Sequence, residues 1–209
     1  PVSAVAERYK VPALMENGPI DSWLTGGPYH WAFGNLFDLR TMMTSYVDAW
    51  DTAETNKKIG FIYDNGVDGV VFSALNREIA EARGYTIIDP GRFPAGTKDY
   101  TAIISQFKAE GVDIVAANMI TPDFGVLWNQ FHQQGFIPKI MNIGKAMHFT
   151  ADVAALGEDM GVGLLSEDMW AATYPYKSAL TGQTAAELTA DWEEYSGKPA
   201  DCTLGYDWS

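Results

Sequence analysis

Between Lys57 and Lys145 the chain alternates short apolar runs with amphipathic stretches, repeating about every 28 residues. The apolar runs are Lys57–Asn65, Tyr85–Gly91, Asp113–Ile120 and Pro138–Gly144, each closed by a polar or glycine-rich turn. Ile59-Gly-Phe-Ile-Tyr63 is almost continuously apolar, as a strand covered on both faces requires. Between the runs, Val70, Val71, Ala74, Leu75, Ile79 and Ala82 fall at helical spacing, as do Ile103, Ile104 and Phe107, then Phe124, Leu127, Trp128 and Phe131. Gly84, Gly111 and Gly135 stop these helices. The pattern predicts an α/β fold built on a parallel βαβ sheet.

The flanks are less regular. Ser3–Lys10 reads as the end of a helix, Val11–Met15 as a buried strand, and Glu16–Pro28 as a loop. Tyr29, Trp31 and Phe33 alternate with smaller residues and predict a short strand. Leu36, Leu39, Met43, Tyr46, Val47 and Trp50 predict a helix over 36–54 whose apolar stripe is core. Beyond residue 145 a short helix over Met147–Leu156 precedes a fifth strand over Gly161–Trp170, an edge strand in this reading. A loop over Ala171–Gln183 follows, and then a capping box, Thr184-Ala-Ala-Glu187, opening a last helix.

An open parallel sheet places its ligand at the carboxyl ends of its strands. That rule selects Asp64 and Asp68, Asn118, Met119 and Thr121, Gly144 and Lys145, and Trp170 after the fifth strand. Trp23, in a loop with Asn17 and Gly18, is a candidate pocket wall. Each has a plainer role available. Thr121 can cap its helix, Asp64 can hold a turn, Lys145 can be solvated, and both tryptophans can simply pack.

Composition narrows the function. Lys+Arg is 14 against 27 Asp+Glu, a formal charge of −13, which argues against nucleic acid or an anionic membrane as partner. The sequence as given shows no run of about 18 apolar residues and no secretory-leader pattern. Its abrupt ends read as those of a piece cut from a longer protein. Cys202 is the single cysteine, so no internal disulfide forms. No strand is followed by a Gly-x-Gly-x-x-Gly or Walker loop, and Gly66-Val-Asp-Gly69 reads as an ordinary turn. His30, His132 and His148 lie in separate elements, and no Cys/His cluster has metal spacing. Glu167-Asp168 and Glu193-Glu194 are neighbours whose side chains diverge. No nucleophile, base and orienter assemble, so the expectation is a binding protein, not an enzyme, with no cofactor or metal.

Lys58-Ile-Gly-Phe-Ile-Tyr-Asp64, Gly91-Arg-Phe-Pro-Ala-Gly-Thr-Lys-Asp-Tyr100 and Phe107-Lys-Ala-Glu-Gly-Val-Asp-Ile-Val115 resemble the type I periplasmic solute-binding proteins of ABC transporters. The nearest group is the branched-chain amino-acid-binding proteins. Thr121–Gly125, Trp128–Gly135, Gly161–Leu165 and Tyr174–Gln183 are similar to that family too. The resemblance implies two α/β lobes joined by three crossings, with a small solute held in the cleft and passed to membrane permease subunits. It places residues 50–170 in the second lobe, and 1–49 with 171–209 in parts of the first lobe and the crossings, leaving the first lobe incomplete. It implies a periplasmic or extracytoplasmic location. It adds Asn35, in the Phe33–Asn35 crossing, to the site beside Asn17, Gly18 and Trp23. Amino-acid-binding members often carry an acid in the loop matching Gly144-Lys145. Here Lys145 would favour an anion, so a carboxylate, an aromatic one included, competes with an amino acid as ligand. Two rivals share such a sheet: a ligand-sensing regulator core with the same two lobes, and an enzyme with a cofactor on the strand tips.

Overall fold

The computed structural model describes residues 2–15, 20–34, 37–157, 159–168, 170–202 and 204. The chain divides into two compact units, one of Pro1–Thr41 with Asp168–Ser209, the other of Met42–Glu167.

In the first unit, α1 (Val2–Tyr9) leads into β1 (Ala13–Met15), α2 (Asp21–Gly26) and β2 (Ala32–Gly34), and the two strands pair in parallel. Two expectations are corrected. The Glu16–Pro28 segment holds the helix α2 where its Gly, Pro, Asn and Asp content predicts a loop. Leu24 N–H donates to Ile20 O, and the Asp21 carboxylate accepts from Leu39 N–H at 2.9 Å. The β1 strand is also not buried: Leu14 is 69 % exposed and its register partner Phe33 50 %, leaving one face of this two-stranded sheet open. Nearby, the Glu7 carboxylate gathers the backbone N–H groups of His30, Trp31 and Ala32. These three bonds hold its carboxyl below the usual range, although burial opposes them as the largest single influence. Further on, α8 (Ala185–Ser196) opens with the expected capping box. Glu187 N–H donates to Thr184 Oγ1 at 3.2 Å, and Thr184 N–H to Glu187 Oε2 at 2.8 Å. The Ala171–Gln183 stretch carries one isolated bridge to Thr184, from Lys177.

The helix α3 (Leu39–Trp50) starts in the first unit and runs into the second, shorter than the 36–54 expected. The second unit is built on β3 (Lys58–Tyr63), β4 (Thr86–Ile88), β5 (Ile114–Asn118), β6 (Ile140–Gly144) and β7 (Leu164–Leu165). They alternate with α4 (Val67–Ala82), α5 (Thr101–Glu110), α6 (Thr121–Gln133) and α7 (Thr150–Ala154). All five strands are parallel, in the order β4-β3-β5-β6-β7. The fifth strand of the series is therefore an edge, and only two residues long. The strands are shorter than the apolar runs, and beyond β3 the pairing continues only as an isolated parallel bridge between Asp64 and Phe93. There Asn65 N–H donates to Phe93 O.

Alternation along the strands sorts the core into two layers. Ile62, Val115, Ala117, Met119, Met141 and Ile143 join Ile104 and Phe107 of α5 and Phe124, Leu127, Trp128 and Phe131 of α6 in one cluster. On the opposite face, the buried Trp50 indole of α3 donates to Asn142 Oδ1 of β6 at 2.9 Å. Gly60 of β3 lies under α5 so closely that a Cβ there would sit 2.5, 2.6 and 2.8 Å from three Phe107 ring atoms. The effect of both layers is a rigid sheet whose carboxyl edge presents a fixed row of residues.

Candidate functional site

Register defines that row. Tyr63 pairs with Asn118, and Asn118 with Gly144, so the last residues of β3, β5 and β6 lie side by side. Asn118 and Tyr63 are buried, Asn118 only 1 % exposed. Neither amide atom of Asn118 has a hydrogen-bond partner among the described residues. An unpaired buried amide carries a desolvation cost of about 1–3 kcal/mol, so its retention at a strand tip calls for an explanation.

Glu167, two residues beyond β7, closes the row. Its Oε1 accepts from Lys145 N–H at 3.0 Å and lies 2.9 Å from His148 Nε2, while Oε2 accepts from the Tyr46 hydroxyl of α3. Burial pushes the Glu167 carboxyl up, but His148, Tyr46 and the Lys145 amide together outweigh it and hold the carboxyl below its usual range. Burial, and then the Glu167 charge, push the Tyr46 phenol well above its usual value. Tyr63 is raised in the same way, burial first and then the Glu167 charge. The β6–α7 turn beside this cluster holds two non-glycine residues in left-handed backbone, Lys145 (φ 72°) and Met147 (φ 64°). Such conformations persist only where surrounding contacts enforce them. Here the Lys145–Glu167 and His148–Glu167 contacts and the Ser166 Oγ bond to Ala146 O do so.

The expected site residues separate into groups. Asn118, Gly144, Lys145 and Asp68 come together at the sheet edge. Lys145 is not the unpaired cation the sequence suggests: its Nζ lies 3.0 Å from Asp68 Oδ2, both side chains being partly exposed. Asp64 is buried and holds the β3–α4 turn, with Oδ1 accepting from Gly66 N–H at 2.9 Å. The same turn explains Gly69, where a Cβ would collide with the Asp64 carbonyl. Thr121 does not cap α6. Ile120 stands at that position without a side-chain bond, and Thr121 Oγ1 donates to Asp152 at 3.2 Å. Met119 points into the hydrophobic cluster, leaving only its backbone at the edge, where its N–H donates to Gly144 O. Trp170 packs with Ala185 and Leu204 in the first unit. Trp23 is in that unit too, its indole donating to Ala32 O at 3.1 Å. Asn17, Gly18 and Asn35 lie outside the described residues.

Tyr46, His148 and Glu167 are the residues sequence reasoning missed. The signal for Glu167 was present, because the strand-end rule applied at β7 falls on it rather than on Trp170. Among the described residues no group of three or more His, Cys, Asp or Glu could hold a metal ion, and no helix is long and apolar enough to cross a membrane.

A parallel sheet with polar groups at its carboxyl tips is the arrangement in which open α/β proteins hold their ligands. The family model described as "Periplasmic binding protein" matches residues 1–206, and the chain belongs to that family. It has the type I periplasmic-binding-protein fold. A leucine-binding protein from Thermotoga maritima superposes with a TM-score of 0.80 at 18 % identity, covering 99 % of this chain and 57 % of that one. A solute-binding protein of an ABC transporter from Rhodopseudomonas palustris, in complex with p-hydroxybenzoic acid, gives 0.71 at 18 % identity over 99 % and 55 %. Among curated proteins, Leu/Ile/Val-binding protein homolog 8 of Brucella abortus is 26 % identical over 145 residues, 68 % of this chain and 35 % of that protein. The chain thus spans about a third of the curated relatives it matches and just over half of the solved chains.

Proposed function

We propose that this protein is an extracytoplasmic receptor that captures a small organic solute, an amino acid or a carboxylate, and hands it to the permease subunits of an ABC transporter. No bond is made or broken in this role. The observation that carries the reading is the row of fixed polar side chains along the carboxyl edge of the second unit's sheet, in a chain of the periplasmic binding family. Residues 50–170 act as one lobe in this reading, and 1–49 with 171–209 contribute to the other lobe and the crossings. In this reading Asp68, Asn118, Gly144, Lys145 and Glu167 are the second unit's solute-contacting residues, and Asn17, Gly18, Trp23 and Asn35 are the candidates the family resemblance adds. The formal charge of −13 supports a role apart from nucleic acid.

The test is a thermal-shift screen of the full-length protein against amino acids, aromatic acids, amides and short organic acids. A binder at one hundred times its Kd stabilises by about 2.7 kcal/mol, several degrees in melting temperature. Silence across all four classes, or a bound cofactor visible in the absorbance spectrum, would overturn the receptor reading.

A further inference from the structure

The turn between β3 and α4 carries an Asn-Gly pair, Asn65-Gly66, and both residues are exposed. The Asn65 side-chain amide has no hydrogen-bond partner among the described residues. The other described asparagines are placed differently. Asn76, Asn118 and Asn142 are buried. Asn56 is held at both ends of its amide, Nδ2 donating to Gly111 O at 2.7 Å and Oδ1 accepting from Lys58 N–H at 3.0 Å. Asn129 Nδ2 donates to Gly125 O within α6 at 2.8 Å. Each of these five is followed by a residue with a side chain, and Asn65 alone among the described asparagines by glycine. Asn17-Gly18, the chain's other such pair, lies outside the described residues.

Such a pair can modify itself. The Gly66 nitrogen attacks Asn65 Cγ, a C–N bond forms, and the Cγ–Nδ2 bond breaks. Nδ2 leaves as ammonia, taking up the proton that Gly66 N gives away. Water then opens the five-membered succinimide at one carbonyl or the other, which yields aspartate or isoaspartate. Glycine has no Cβ to hinder the attack. One contact opposes it: Gly66 N–H donates to Asp64 Oδ1 at 2.9 Å. That bond must break before the nitrogen can turn on Cγ, and a bond to a carboxylate is stronger than one to a neutral acceptor.

We propose that Asn65 is a self-deamidation site of the folded protein, the first of the described asparagines to convert, and that the Asp64 carboxylate sets the pace by holding Gly66 N–H. The reaction does not depend on which solute binds. Either product adds a carboxylate to the turn that leads to Asp68, the partner of Lys145. The isoaspartyl product also lengthens the backbone by one methylene between β3 and α4. That turn has no slack, since a Cβ on Gly69 would sit 2.2 Å from Asp64 O.

In the experiment the full-length protein is held at physiological temperature in mildly alkaline buffer and sampled over weeks, beside the same chain unfolded in urea. Peptide mapping by mass spectrometry places each amide-to-acid change, and isoaspartyl methyltransferase marks the rearranged product. Asn65 of the folded protein should convert before Asn56, Asn76, Asn118, Asn129 and Asn142, and more slowly than in the unfolded chain. D64N keeps an acceptor of the same shape but weakens the bond to Gly66 N–H, and should speed the conversion about fivefold. Melting temperatures report whether D64N folds. Should it melt well below the wild type, hydrogen exchange at the Gly66 amide of the wild type decides the part given to Asp64. A protected amide supports that part, and one exchanging as freely as in the unfolded chain removes it. A folded D64N converting at the wild-type rate removes it as well. Asn65 intact in the folded protein once the unfolded chain has converted overturns the inference, as does earlier conversion at another described asparagine. Aspartate formed with no isoaspartate would mean direct hydrolysis and overturns the ring closure.

Discussion

Gly60→Ala tests the placement of β3 under α5, on which the position of the sheet's carboxyl edge depends. The added methyl would lie 2.5–2.8 Å from three ring atoms of Phe107, where ordinary carbon contacts are about 3.5–4.0 Å. The ring must retreat by roughly 1 Å. It has little room to do so, being fully buried with the Phe136 ring centroid 6.3 Å away. Overpacking of this kind costs about 1–3 kcal/mol. Replacing glycine by alanine returns about 0.4–1 kcal/mol through the unfolded chain. The net expectation is about 1–2 kcal/mol of destabilisation, roughly 2–8 °C in melting temperature for a chain of this size. Phe107→Leu alone should also destabilise, by about 1–2 kcal/mol from lost contacts. Combined with Gly60→Ala it should cost less than the sum, because the smaller side chain makes room for the methyl. A double-mutant cycle by urea denaturation measures this coupling. If Gly60→Ala proves as stable as the wild type, or the two changes simply add, β3 and α5 do not meet as described.

Three further expectations follow from other parts of the molecule. The lowered Glu167 carboxyl contributes stability above its ordinary value of 4.5, and that contribution is lost as pH falls through the lowered folded value; E167Q should therefore fall short of the wild type at neutral pH and converge with it below about pH 4.5 in pH-dependent melting. Trp50→Phe strips the buried Asn142 Oδ1 of its donor and opens space beside it, for a loss of about 2–4 kcal/mol in denaturant titration; a change under 0.5 would refute the contact. Thr184→Ala removes one arm of the capping box on α8 and should cost about 1 kcal/mol, read as lost helical circular dichroism at lower temperature, with Thr184→Ser restoring it.

The second unit was legible because its strands are covered on both faces, which leaves an apolar run such as Ile59–Tyr63 as an unambiguous mark. Topology then delivered Asn118, Gly144, Lys145 and Asp68 to one edge before any coordinates. Parity decided the case the run alone left open. Met119 shares its face with Ala117, so the core claims it, while Asn118 between them faces the other way. The tight spot at Gly60 is invisible in the chain, since it depends on which ring of α5 comes to rest there. Glu167 carried a positional signal alone, its place just after the fifth strand. A carboxylate is buried only where donors meet it, and its donors come from residues 46, 145 and 148. In sequence it is one acid beside another. Val11–Met15 misled because apolar character implies burial only when another layer lies above it.

Because the five strands run the same way, every one of them ends on the same side, and exposed residues beyond those ends, such as Lys145 and Asp68, stand apart from the buried cluster that holds the layers together. The chemistry of that border can thus be rewritten at its exposed positions while the interior goes on folding unchanged.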